Sequence, residues 1–108
     1  MSFSIERGFN GKIFDCIDRA LDTLGEGVKQ SLYYQIENRF HIPRDEFASR
    51  SPEIIDHLKQ ILDIGGSSML ERLIVREIRK EFKLDYQKDL PLASVIQEAR
   101  SKFLNAHL

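Results

Sequence analysis

Apolar side chains return every three or four residues through five separate segments of this chain, a period that suits helices and little else. Ile13, Phe14, Cys16, Ile17, Ala20, Leu21 and Leu24 fall within one broad arc at about 100° per residue, and Asp15, Asp18 and Asp22 fall opposite. Glycines and prolines sit between the periodic segments, and no stretch alternates with the period of a strand for more than a few residues. The pattern predicts an all-α fold, a compact bundle of about five helices plus one short helix, in a single domain over 1–108.

Punctuation places the boundaries. The first helix is predicted over 11–24, with Asn10 as N-cap, Phe9 and Phe14 at hydrophobic-staple spacing, and Gly25 as a left-handed end. After the Gly25-Glu26-Gly27 turn a second helix runs to about 40, burying Val28, Leu32, Tyr33, Ile36 and Phe40 while Tyr34 points away. Pro43 stops it and opens a short helix through 47, with Asp45 and Glu46 in its first turn. Ser51 as N-cap and Pro52 at the first position start a helix carrying Ile54, Ile55, Leu58, Ile61 and Leu62, ended by Gly65-Gly66. Ser68 and Glu71 have capping-box spacing and open the next helix, which reaches about 82 with Leu70, Ile74, Ile78 and Phe82 in one row and Val75 alongside. A polar linker over 83–89 leads to Pro91 and an additional C-terminal helix over 90–106, where Leu92, Val95, Ile96, Ala99 and Phe103 share a face.

Composition narrows the function classes. At 42% hydrophobic and 31% charged, 108 residues suffice for a core without metal or disulfide staples, and disorder is excluded. A net charge of −1 argues against a dedicated nucleic-acid binder, which shows a basic excess. Cys16 has no second cysteine to pair with, which fits a reducing cytoplasm. No apolar run approaches the roughly 18 residues that span a bilayer, and residues 1–10 lack the apolar segment of a signal peptide. The expected location is cytoplasmic, without membrane contact.

Candidate chemistry is sparse. Gly65-Gly66-Ser67-Ser68 precedes a helix, but it lacks the lysine of a phosphate-binding loop and reads as a turn with a cap. Glu37 with His41, and Glu53 with His57, stand four residues apart, whereas carboxylate-bridged metal bundles use Glu and His three apart. Asp15, Asp18 and Asp22 read as a solvated face, and Cys16 on the buried arc reads as a small hydrophobe. No element presents a serine nucleophile. The expectation is a non-enzyme with no catalytic residue, no metal ligand and no cofactor. The one distinctive surface is basic: Arg72, Arg76, Arg79, Lys80 and Lys83 fall within about 100° of arc and are suited to phosphates or an acidic partner face. Tyr34, on the face opposite its neighbour Tyr33, joins them as a candidate interaction residue. In a self-complementary version, the basic stripe of one copy meets the aspartate stripe of another.

Over residues 20–84 the landmarks run Ala20-Leu21-Asp22-Thr23-Leu24-Gly25-Glu26-Gly27-Val28, Leu32-Tyr33-Tyr34-Gln35-Ile36-Glu37, Ile42-Pro43-Arg44, Ser51-Pro52-Glu53, the double glycine, and Met69-Leu70-Glu71-Arg72-Leu73-Ile74-Val75. This order resembles the small archaeal helical domain known as the fifth type of Nitrosopumilus output domain, which also occurs in stand-alone archaeal proteins. The resemblance covers about three-fifths of the chain. It implies an archaeal cytosolic module serving as the output or interaction part of signalling proteins, and it transfers no catalytic residue. Two departures stand out: Ser67-Ser68 replaces a small apolar residue after the glycines, and the helix over 90–106 is extra, as an added interface or a lid over the core. The expected function is a non-enzymatic regulatory or protein-interaction module whose partners include itself, as a homodimer. The alternative is a nucleic-acid-associated regulator using the basic stripe.

Overall fold

A computed structural model describes residues 2–85 and 89–107. Positions 86–88 of the expected linker lie outside the described residues. The described chain is all α: α1 (Ser2–Asp22), α2 (Glu26–Asn38), a single 3-10 turn (Arg44–Glu46), α3 (Ser51–Leu58), α4 (Ile64–Phe82) and α5 (Leu92–Ala106). α4 is the central helix, packed most extensively on α1 and α5; α2 lies against α1, and α3 reaches both α4 and α5. Every helix contributes to one hydrophobic cluster, with Ile13, Cys16, Leu58, Leu70, Ile78 and Leu92 at its most enclosed positions. Among the described residues no helix is long and apolar enough to cross a membrane.

α1 begins well before the expected start at 11. Asn10 is inside the helix, so the cap and its Phe9–Phe14 staple do not form. Phe9 is one turn before Ile13 and continues the apolar row. It is buried against Phe82 and Phe103 at ring-centroid distances of 5.4 and 5.5 Å. The Arg100 guanidinium lies 4.6 Å over the same ring and pairs with Glu6. These tertiary contacts outweigh the weak helix propensity of Gly8 and Gly11.

Gly25 adopts φ +95°, the left-handed region that favours glycine, and its carbonyl accepts from Lys29 N as α2 begins. The buried face of α2 differs by one position from the expected stripe: Val28 is 46% exposed, and Lys29 is buried instead. Asp18 and Asp22 of α1 draw the Lys29 amine inward, to 3.5 and 2.6 Å, and so set the angular position of α2. Phe40 lies past the end of α2, half-buried, with its ring stacked on His57 at 4.4 Å. The chain then reverses through His41 at φ +57°. Ile42 and Phe47 are fully buried on either side of the short turn.

The expected starts and ends of α3 and α4 shift. Arg50, not Ser51, precedes α3, and the buried Ser51 hydroxyl donates back to the Ala48 carbonyl. α3 ends at Leu58, so Ile61 and Leu62 fall in a turn, half-buried. Gly65-Gly66 is the first turn of α4 rather than the end of α3, because the Asp63 carboxylate accepts from Gly66 N at 2.6 Å and starts the helix there. A Cβ on Gly66 would stand 3.1 Å from that same carboxylate oxygen, so the glycine gives the cap room. Ser68 and Glu71 therefore form no capping box. Glu71 reaches across to α5 and accepts from Leu92 N at 3.0 Å.

Candidate functional site

The surface of α4 is organised from a buried carboxylate outward. Glu77 shares its helix with the core residues Ile74 and Ile78 and is only 6% exposed. Arg19 of α1 donates to it through Nε at 3.1 Å and to Glu81 through Nη2 at 3.0 Å, and Lys12 reaches Glu81 at 3.3 Å. Burial works to raise the Glu77 carboxyl, but the hydrogen bonds from Arg19 and Lys80 outweigh it and hold the group below its ordinary value. Glu81 is lowered in the same way, burial opposing and Lys12 and Arg19 prevailing. This network pins α4 to α1 and fixes which flank of α4 faces water.

On that flank, all five basic residues of the expected stripe come together. Arg72, Arg76, Arg79, Lys80 and Lys83 line one groove of about 540 Å³. Buried Val75 and half-buried Leu84 supply its apolar wall, and among the described residues Asp89 is its one carboxylate. A smaller hollow of about 380 Å³ shares Arg72, Val75, Arg79 and Asp89 and continues past Glu71 to Leu90 and Pro91, at the start of α5. Lys80 and Arg76 stand 3.4 and 3.9 Å from the Glu77 carboxylate, and both side chains are more than half exposed, so their outer faces are open to an outside group. None of the ion pairs or hydrogen bonds among the described residues engages the side chain of Arg72 or Lys83. Lys83 closes α4 at φ +55°, and Leu84 N donates to the Arg79 carbonyl at 2.9 Å, which turns Leu84 back onto the groove.

Tyr34 is not part of this surface. It is 65% exposed on α2 and does not line the groove. Leu84 and Asp89, read from sequence as linker, do line it, and Val75, read as a core residue, is its wall. The signal for Leu84 was an apolar residue just past the last helical turn, the position that folds back in a left-handed helix end.

The acidic stripe is not simply a solvated face. Asp18 accepts from the Tyr33 hydroxyl, and Asp22 pairs with Lys29. Burial, reinforced by the bond to Asp18, raises the Tyr33 phenol above its ordinary value. Only Asp15 of the three has no such bond to α2. Elsewhere, Glu37 accepts from Arg44 at 2.9 Å, and Glu53 is held by Arg50 at 2.6 Å, with His57 at 3.4 Å. Among the described residues no group of three or more His, Cys, Asp and Glu side chains gathers as metal ligands would. Cys16 is fully buried, and burial pushes its thiol up to about 12 against the opposing pull of Arg19, 3.5 Å from the sulfur. Comparison with protein-family models, with curated proteins and with solved structures finds no match for this chain.

Proposed function

We propose that this protein is a non-enzymatic regulatory or protein-interaction module that docks a protein partner on the basic flank of α4. The observation that carries the reading is the convergence of five cationic side chains around an apolar wall. Interfaces combine an apolar centre with a polar rim, and this groove has both along α4 and the turn that follows it. The resemblance of residues 20–84 to archaeal signalling output domains supports the same reading and adds a cytosolic setting in signal transduction. The partner set includes a second copy of the chain. Asp18 and Asp22 also hold Tyr33 and Lys29 of α2, so of the aspartate stripe Asp15 is the one with no bond to α2 to compete with a second copy.

The test is affinity purification of the intact protein from its native cytosol, R72E/K83E beside wild type, followed by reconstitution of any retained protein from purified components. The expected result is a complex that forms with wild type and weakens about tenfold with the variant, the effect of reversing two rim charges. Equal affinity for both overturns the reading. Light scattering on the eluting protein reads the homodimer, and a strict monomer at high concentration removes that element. A nucleic-acid-associated regulator is the second reading, favoured by Arg72, Arg76 and Lys80 recurring every four residues along one line. Absence of any mobility shift with duplex DNA at low salt removes it.

A further inference from the structure

The groove has two properties that together define a partner. Its rim is cationic and its wall, from Val75 and Leu84, is aliphatic. A nucleic-acid backbone satisfies only the first. Phosphodiesters carry charge but nothing apolar to cover Val75 and Leu84. A free inorganic anion leaves the wall uncovered.

We propose, on the reading that the basic flank of α4 is a docking surface, that its occupant is an acidic peptide segment of a partner protein carrying at least one aliphatic side chain. The aliphatic group seats against Val75 and Leu84, and flanking Asp or Glu carboxylates meet Arg72, Arg76, Lys80 and Lys83. From Arg72 to Lys83 the rim runs about 16 Å along the helix axis, enough for three turns of a helical segment or five residues of an extended one. Acids four residues apart on such a helix match the spacing of Arg72, Arg76 and Lys80. The cations supply orientation and encounter rate, and burial of the aliphatic anchor supplies most of the affinity.

The experiment is selection of a displayed random-peptide library against the intact protein. The most enriched peptide is then titrated against wild type, R72E/K83E and Leu84→Ser, with a random-sequence DNA duplex titrated in parallel. The expected outcome is enrichment of peptides with an Asp/Glu excess and a Leu, Ile or Val. Affinity falls about tenfold for R72E/K83E, falls again for Leu84→Ser, and weakens with salt. Enrichment of neutral or basic peptides overturns the proposal. Tight duplex binding that R72E/K83E abolishes also overturns it, while leaving α4 as a docking surface. If neither peptide nor duplex distinguishes R72E/K83E from wild type, the docking reading falls with it. Arg72 and Lys83 are exposed, so circular dichroism of the variant is expected to match wild type; R72Q/K83Q gives the same comparison without added repulsion.

Discussion

Replacing Arg19 with Met leaves Glu77 inside the α1–α4 contact without its nearest cation. Breaking a fully buried ion pair by removing one partner costs about 3–5 kcal/mol. Two facts reduce that figure here. The Arg19 side chain is 44% exposed, so water replaces part of what it gave, and Lys80 remains 3.4 Å from the carboxylate. The expected loss is about 2 kcal/mol, the scale of one charge-assisted hydrogen bond, or roughly 8 °C in melting temperature for a chain of this length. Arg19 also bonds Glu81, so urea denaturation is run on R19M, E77Q and the double variant. In this cycle the Glu81 contribution is common to both arms and drops out, leaving a coupling of about 1–2 kcal/mol between Arg19 and Glu77. The pH dependence has a defined sign. Glu77 is depressed in the folded chain, so the stability it contributes is present above the unfolded value of about 4.3 and is lost as pH falls through the folded value. In R19M that value rises, so stability falls less steeply on acidification than in wild type. A coupling within error of zero, or identical acid profiles for wild type and R19M, would refute the network as the tie between α1 and α4.

Other expected outcomes follow from single positions. Phe9→Ala removes a ring packed on Phe82 and Phe103 and is expected to cost about 3–4 kcal/mol; a loss under about 1 kcal/mol would mean that the helix begins near residue 11 after all. His41→Gly relieves a left-handed residue, which costs about 1–2 kcal/mol, against a loss of unfolded-chain restraint of about half that; a net gain of about 0.5–1 kcal/mol in urea unfolding is expected. Asp63→Ala is expected to destabilise by about 1 kcal/mol and Ser68→Ala by a few tenths, and the reverse ranking would move the start of α4 back to Ser68. Cys16, with its thiol at about 12 and no surface exposure, is expected to resist iodoacetamide in native buffer and to react at once in urea.

Much of the bundle was legible because it rests on burial, and burial leaves a periodic trace. Leu70, Ile74, Ile78 and Phe82, or Leu92, Val95, Ala99 and Phe103, are where the helical period places them. The basic stripe was legible for the same reason, since five cations on one arc of a helix stay on one side wherever that helix goes. Helix ends were misread where a residue of the right type met a stronger competitor. Asn10 lies in a helix that Phe9 extends, Ser51 turns its hydroxyl backward to Ala48, and Ser68 lies a full turn inside the helix that Asp63 starts. Lys29 was invisible for another reason. Burying a lysine in place of Val28 makes sense only once Asp18 and Asp22 face it from another helix, and no window along α2 contains them. The groove wall needed the same kind of knowledge, because Leu84 joins Val75 only after the chain turns back at Lys83.

Most of the circumference of α4 is engaged. One edge is immersed with Leu70, Ile74 and Ile78, a second is fastened to α1 through Glu77 and Glu81, a third holds the beginning of α5 through Glu71, and the fourth is the cationic rim. Helices on the outside of a bundle usually keep a permissive strip where almost any polar residue is accepted. A scan of substitutions along this one, read by stability alone, would find that strip confined to outward positions such as Met69, Arg72, Arg76 and Lys80. A chain built this way holds the buried and bonded positions of its middle helix nearly fixed and leaves the outward ones to answer to whatever meets them.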